Sequence, residues 1–183
     1  RYSDAELGYF KSGEFPYLYP NVDWINETFK NNGSSDIYNL TFRGGGERLR
    51  YYTNVNLISN LGFIAHPKEN SGYSTQNKYS KGSIRTNLDI DLTSTTKLMA
   101  NISGTLMEAS RPGLSSDDLW GKIYTVPAAA FPVKTEAGLW GGNTTWTGYY
   151  NPVALTEGRA YSKAHTRSLF ADMTLSQDLS AVT

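Results

Sequence analysis

The sequence predicts an all-β protein: antiparallel up-and-down strands that form a segment of a transmembrane β-barrel with long extracellular loops. Three observations carry that prediction. Apolar and polar residues alternate with a period of two along several segments, short and long connections between those segments alternate without exception, and a strand such as Ser83–Thr93 has the ~9–11 residues a tilted crossing of the hydrocarbon layer takes. The composition agrees, since Tyr 13, Gly 17 and Trp 4 accompany only 39% hydrophobic residues.

The elements follow in chain order. "SDAELGYF" reads as a short helix capped by Ser3, with Glu6 placed three residues on to complete a capping box. "FPYLYPNVDW" is then a proline-interrupted loop. The first strand is predicted at Asp36–Arg43 and the second at Arg48–Ser59, joined by Gly44-Gly45-Gly46-Glu47, whose glycines suit a tight turn with positive φ. "SIRTNLDIDLTSTTKLMANISGTLME" supplies the third and fourth strands, with Leu92 expected opposite Leu98 around Ser94-Thr95-Thr96. That register sets Asp89 opposite Asn101 and Arg85 opposite Thr105. A fifth strand lies within Tyr161–Gln177, and "DLSAVT" at the end echoes "DLTSTT" at Asp91–Thr96, as a turn at the same end of the sheet would. Between these strands, Asn60–Gly82 and Ala109–Ala160 are long connections. The second of them, some fifty residues, needs a small core of its own.

The apolar faces pass a charge test. Even positions from Ile84 to Leu106 hold no charge, nor do Leu49, Tyr51, Thr53, Val55 and Leu57. On the fifth strand Leu169, Ala171, Met173 and Leu175 are followed by charges only at Arg167, His165 and Lys163. An Arg or Lys facing lipid at mid-depth costs roughly 2–4 kcal/mol but little near the interface. The opposite faces carry Arg48, Arg50, Asn54 and Asn56, then Arg85, Asn87, Asp89 and Asp91, and are too polar for a core. They suit a wet lumen or the face of a plug. The competing reading of the same alternation is a one-sided sheet covered by a second layer, as in a soluble β-sandwich that binds carbohydrate through its aromatic loop.

Several classes are disfavoured. Lys+Arg and Asp+Glu are both 17, so the footprint of a nucleic-acid binder is missing. Without cysteine there is no thiol chemistry or zinc cluster to argue. No segment has the length and apolarity of a transmembrane helix. The chain opens on "RYSDAELGYF", with neither a basic start nor an apolar signal region, so it is either cytoplasmic or an excerpt from a longer precursor, and the strand and loop pattern favours the excerpt.

"YLYPNVDWINETF" (Tyr17 to Phe29), followed by "YNLTFRGGGERLRYYTNVNLISNLG" (Tyr38 to Gly62), resembles the SusC/RagA family of TonB-dependent outer-membrane transporters. "NPVA" at Asn151 to Ala154 and "FADMTLSQDL" at Phe170 to Leu179 extend the likeness along nearly the whole chain. The resemblance implies a bacterial outer-membrane protein, a 22-stranded barrel of which this chain holds about five early strands. It implies import of large nutrients, most often glycans or peptides, with a SusD-like surface lipoprotein as lid and energy from the TonB complex engaged through an N-terminal region not present here. Outer-membrane lipid is the remaining partner. On that alignment residues 1–35 belong to an extracellular loop segment and 36–108 to four barrel strands. Residues 109–160 form a long aromatic-rich extracellular loop with a short helix, and 161–183 the fifth strand and the start of a periplasmic turn.

No catalytic residue, metal site or cofactor is expected, and the chain is not read as an enzyme. His66 and His165 lack metal-ligand spacing, and no nucleophile elbow or phosphate loop occurs. Asp89 and Asp91 read as lumen-facing residues, and Asp117 and Asp118 as the acidic first turn of a helix opened by "SSDDLW" and ended by Pro127. The sequons at Asn26, Asn32, Asn39, Asn101 and Asn143 fit chance in so Asn-, Ser- and Thr-rich a chain. The substrate-binding candidates are Trp120, Trp140, Trp146, Tyr149 and Tyr150, concentrated in the long loop. Aromatic faces suit the C–H faces of sugars, with Asn, Thr and Glu nearby for the hydroxyls. The same rings could instead pack the loop onto itself or onto a lid protein.

Overall fold

The structure, a computed structural model, describes residues 2–70, 73–158 and 160–179. It contains two compact units. One is a sheet unit made of Ser34–Leu61, Lys78–Ala109 and Ala164–Thr183, and the other a loop unit made of Arg1–Gly33, Gly62–Asn77 and Ser110–Lys163.

The sheet has five strands: β1 (Ser34–Gly45), β2 (Leu49–Leu61), β5 (Lys78–Asp91), β6 (Thr96–Pro112) and β7 (Tyr161–Gln177), in the spatial order β1-β2-β5-β6-β7. Neighbours in space are neighbours in chain order apart from the small β3 (Glu69–Asn70) and β4 (Tyr73–Ser74), which pair with each other in the segment between β2 and β5. This is the expected up-and-down order, and all five predicted strands are present. They are longer than expected, however. β5 begins at Lys78 rather than Ser83, and β6 runs on to Pro112. The added residues "KYSKG" have no apolar period, but Lys78–Gly82 still pair with Leu57–Leu61 of the long β2.

The backbone register places each face. Leu40 pairs with Val55 and Val55 with Ile84, while Asn39 pairs with Asn56 and Asn54 with Arg85. A Cβ built on Gly104 would lie 3.6 Å from Ile84 Cγ2 and 3.8 Å from Leu169 Cδ1, so β6 and β7 continue the apolar face. That face is uncovered. Leu57 is 45% exposed, Leu106 62% and Leu169 and Met173 each 75%. Ile102 is exposed as well, Leu88 is half-buried, and Ala100 is the buried apolar residue of the sheet among those described. Thr53 and Thr86, paired across β2 and β5, answer each other by a 3.2 Å hydroxyl contact, so neither exposes a lone polar group on this side.

The other face is laced with side-chain hydrogen bonds. Ser35 donates to Asn60, Asn56 to Asn39, Asn54 to Thr41 and Asn101 to Asp172. Four of the asparagines flagged as sequons therefore have identifiable bonds: Asn39 and Asn101 across strands, and Asn26 to Asp23 and Asn143 to Ala130 O in the loop unit.

Two turn predictions are corrected. Gly44, Gly45 and Gly46 have no positive φ, which among the described glycines occurs at Gly13 and Gly138. What they provide is room. A Cβ on Gly44 would meet the Tyr51 hydroxyl at 2.9 Å, and one on Gly45 the Leu49 carbonyl at 2.7 Å. The Tyr51 ring thus lies against the glycine opposite it in the ladder. The second hairpin closes on Leu92 N–H to Thr96 O (2.9 Å) and not on Leu98. Threonine side chains tighten this turn, with Thr93 Oγ1 donating to Thr96 Oγ1 at 2.8 Å and accepting from Thr95 N–H. Arg85 and Asn87 accordingly line one depression with Ser103 and Asn101. The slip is two residues, and a shift of two leaves every side chain on its predicted face.

In the loop unit, α1 (Asp4–Ser12) carries the predicted capping box, with Ser3 N–H donating to Glu6 (2.7 Å) and Glu6 N–H to Ser3 Oγ (3.3 Å). α3 (Ser116–Thr125) has Ser115 as N-cap and Asp117 and Asp118 in its first turn, also as predicted. Two further helices, α2 (Trp24–Thr28) and α4 (Pro152–Gly158), are too short for a periodic pattern to betray. The unit buries Trp24, Ile64, Leu119, Ile123, Val126 and Phe131 together. The long segment does have the small core its length demands, but that core also draws on Trp24 and Ile64 from elsewhere in the chain.

Candidate functional site

Capping and packing fix the loop unit's backbone. Asp23 accepts from Ile25 and Asn26 N–H (3.1 Å each), which starts α2 and turns Trp24 inward, where its indole N–H reaches Pro127 O at 3.4 Å and its ring meets Phe131 at 5.2 Å. "DW" is thus a helix cap followed by a core anchor. Asn151 is fully buried. Its amide donates to Val133 O (2.9 Å) and Gly141 O (3.3 Å), and its Oδ1 accepts from Ala154 N–H (3.2 Å). Gln76, 1% exposed, clamps both backbone groups of Ile64 in the same way (3.1 and 3.0 Å). Neither amide was singled out from sequence, because nothing local marks a polar residue that serves a distant backbone.

The five sequence-predicted aromatics fall into three places. Trp146, Tyr149 and Tyr150 come together, with Trp146–Tyr150 at 5.2 Å and Tyr149–Tyr150 at 5.7 Å, both edge-on. Lys122 of α3 sits 4.2 and 4.5 Å above the two tyrosine rings, and Trp146 and Tyr150 pack against the buried core. Trp140 joins none of these ring contacts among the described residues; Lys134 lies 4.4 Å over its face. Trp120 belongs to a different group, between Phe29 at 4.8 Å and Tyr124 at 5.6 Å.

Of these places, the one around Trp120 has the features of a binding site. A surface cleft of about 310 Å³ is walled by Trp120, Phe29, Phe63 and Ile25, with Lys30 and Asn77 among its lining. Trp120, Phe63 and Ile25 are exposed. Flat apolar faces beside an amide and an ammonium can stack a ring and hydrogen-bond its substituents. Phe29 and Phe63 were missed from sequence; the isolated bridge between Phe29 and Ile64, which brings their two segments together, has no local signal.

Three of the titratable groups considered for catalysis, Asp91, His165 and Asp118, have structural partners, Asp118 accepting from the Ser115 hydroxyl at 2.7 Å. Asp91 faces Arg50 at 3.4 Å and Lys97 at 3.8 Å, and His165 lies 3.5 Å from Glu108. Among the described residues no group of three or more His, Cys, Asp or Glu side chains could hold a metal ion. Glu6 has its pKa lowered, first by the Ser3 backbone N–H and then by the Ser3 hydroxyl, as a capping carboxylate should. Among the described residues no helix is long and apolar enough to cross a membrane. No protein-family model and no curated protein matches the chain.

Proposed function

We propose that this chain is a wall segment of a TonB-dependent outer-membrane transporter of the SusC type, importing large nutrients, glycans foremost. The observation that carries the reading is the uncovered apolar face of the five-stranded sheet, backed by a hydrogen-bonded polar face. In water such a face is a liability. Against acyl chains it is the required surface, and the polar side then lines an aqueous interior. Short turns at one end of the sheet and long segments leaving the other support the same orientation, turns to the periplasm and long segments outside. The resemblance noted above supplies the family, the 22-strand closure, the SusD-type lid and TonB. The Trp120 cleft is assigned to substrate contact and the Trp146–Tyr149–Tyr150 cluster to holding the loop unit together. The reading involves no catalytic step.

A β-sandwich has weaker support. It needs a second sheet of similar size, and among the described residues the other strand pairing is β3 with β4, two residues a side.

The absence of cysteine makes the test direct. Leu88→Cys and Ile102→Cys sample the apolar face, Asn87→Cys and Asn101→Cys the polar one. In membranes carrying the protein, a water-soluble maleimide should label the second pair and spare the first, and brominated lipid should quench a fluorophore on the first pair alone. Equal aqueous labelling of all four would overturn the membrane reading. For the cleft, Trp120→Ala should weaken glycan binding about fivefold or more, at ~1–3 kcal/mol for a lost stacking partner. Unchanged affinity would return Trp120 to packing.

A further inference from the structure

The apolar face is not smooth. Two adjoining depressions of about 500 Å³ each run along it, and they share Leu57, Gly82, Leu106 and Arg167 as lining. The notch comes from glycine on neighbouring strands. A Cβ on Gly82 would meet just Leu57 Cδ2, at 3.5 Å, and one on Gly104 would find ordinary contact distances. Neither glycine has a positive φ. No turn or close approach therefore requires glycine there, and what it leaves is a groove.

The groove changes character along its length. One part is walled by Val55, Ile84 and Leu169; the other extends past Tyr38 to Ser59, Ser80, Glu108 and His165. Arg167 stands at the junction and lines both parts. Glu108 is engaged by His165 at 3.5 Å, whereas Arg167 has no carboxylate partner among the described residues.

We propose that this groove holds one lipid with a phosphate-bearing headgroup, its acyl chain along Val55, Ile84, Gly104 and Leu169 and its phosphate at the Arg167 guanidinium. The inference rests on the membrane reading above. Inside a bilayer a chain gains no hydrophobic free energy by moving from lipid to protein, so retention has to come from close packing and charge. Glycine notches provide the first and an unpaired guanidinium the second. The planar fork also matches two phosphate oxygens at once.

The experiment uses the full chain in nanodiscs that contain phosphatidylglycerol or phosphatidylcholine, followed by native mass spectrometry of the lipid retained. Wild type should keep phosphatidylglycerol about five-fold better, the effect of one cation (about 1 kcal/mol) at the membrane surface. Arg167→Gln should bring that ratio to about one. Gly82→Leu with Gly104→Val, which fill the notch in backbone conformations open to any L-residue, should lower retention of both lipids about tenfold and leave insertion intact. A wild-type ratio of one, or a ratio that Arg167→Gln leaves unchanged, overturns the lipid site. A chain that inserts normally yet shows neither effect sinks the groove alone. A chain that stays out of the nanodisc even when flanking strands are supplied to β1 and β7 sinks the membrane reading and the groove with it.

Discussion

The sheet unit and the loop unit handle apolar side chains in opposite ways. In the sheet, apolar residues recur with a period of two, yet the resulting apolar face stays open, with Leu169 and Met173 three-quarters exposed. In the loop unit no period is visible, yet Trp24, Ile64, Leu119, Ile123, Val126 and Phe131 close into a dry cluster. Regular pattern and burial are therefore separate properties. The pattern aligns side chains, and burial depends on what the aligned surface meets. One chain carries both solutions, a core for water in one unit and, on the reading proposed here, an outward face for hydrocarbon in the other. The buried amides belong to the same contrast. The loop unit satisfies irregular backbone with Asn151 and Gln76, a task the sheet ladder performs by itself.

That contrast can be broken from either side. The largest effect is expected from Trp24→Ala, which removes the anchor of the loop-unit core and should cost about 3–5 kcal/mol. All four tryptophans, Trp24, Trp120, Trp140 and Trp146, lie in the loop unit. The three left in the variant should show earlier red-shifted emission in denaturant, while the amide infrared band of the sheet holds. Simultaneous loss of both signals would make the two units one cooperative body. Next comes Leu88→Arg, predicted to lower stability in a bilayer by roughly 2–4 kcal/mol. Asn87→Arg, one residue away on the polar face, should stay within about 0.5 kcal/mol. Similar urea midpoints for the two, measured in vesicles, would erase the distinction between faces. Asn151→Ala should cost about 1–3 kcal/mol by stranding the Gly141 carbonyl and the Ala154 N–H, while Val133 O keeps its bond from Gly141 N–H, and tryptophan emission reads this too. The smallest effect concerns α1. Because the pKa of Glu6 is lowered in the folded state, its contribution is present above the ordinary carboxylate range and is lost as pH falls through the lowered value. Amide exchange in the first turn of α1 should accelerate on acidification, and Glu6→Gln should remove that pH dependence.

Much of the sheet was legible because a period of two is local information. Ile84, Leu88, Ile102 and Leu106 announce their face wherever the neighbouring strand begins. Register was less legible, since matching Leu92 to Leu98 on hydrophobicity ignores the threonine hydroxyls that close the turn at Thr96. The error was harmless to the faces because it was even. The helical caps at Ser3 and Ser115 were legible for the same local reason. Long-range geometry was not. Phe29 and Phe63 reach the Trp120 cleft through chain segments far apart in sequence, and the five candidate aromatics, close in sequence, separate into three places.

The outer rims of β1 and β7 have a consequence of their own. Among the described residues neither strand has a neighbour beyond it, so half of the peptide groups along twelve residues of one and seventeen of the other point outward without a mate. Water can tolerate that; oil cannot, at several kcal/mol for each orphaned group. Any membrane-embedded object built on this arc must bring flanking strands to both rims and curl until they meet. Released into buffer, the same two rims would invite copy to zip onto copy, and a fibre would grow where a ring should have closed.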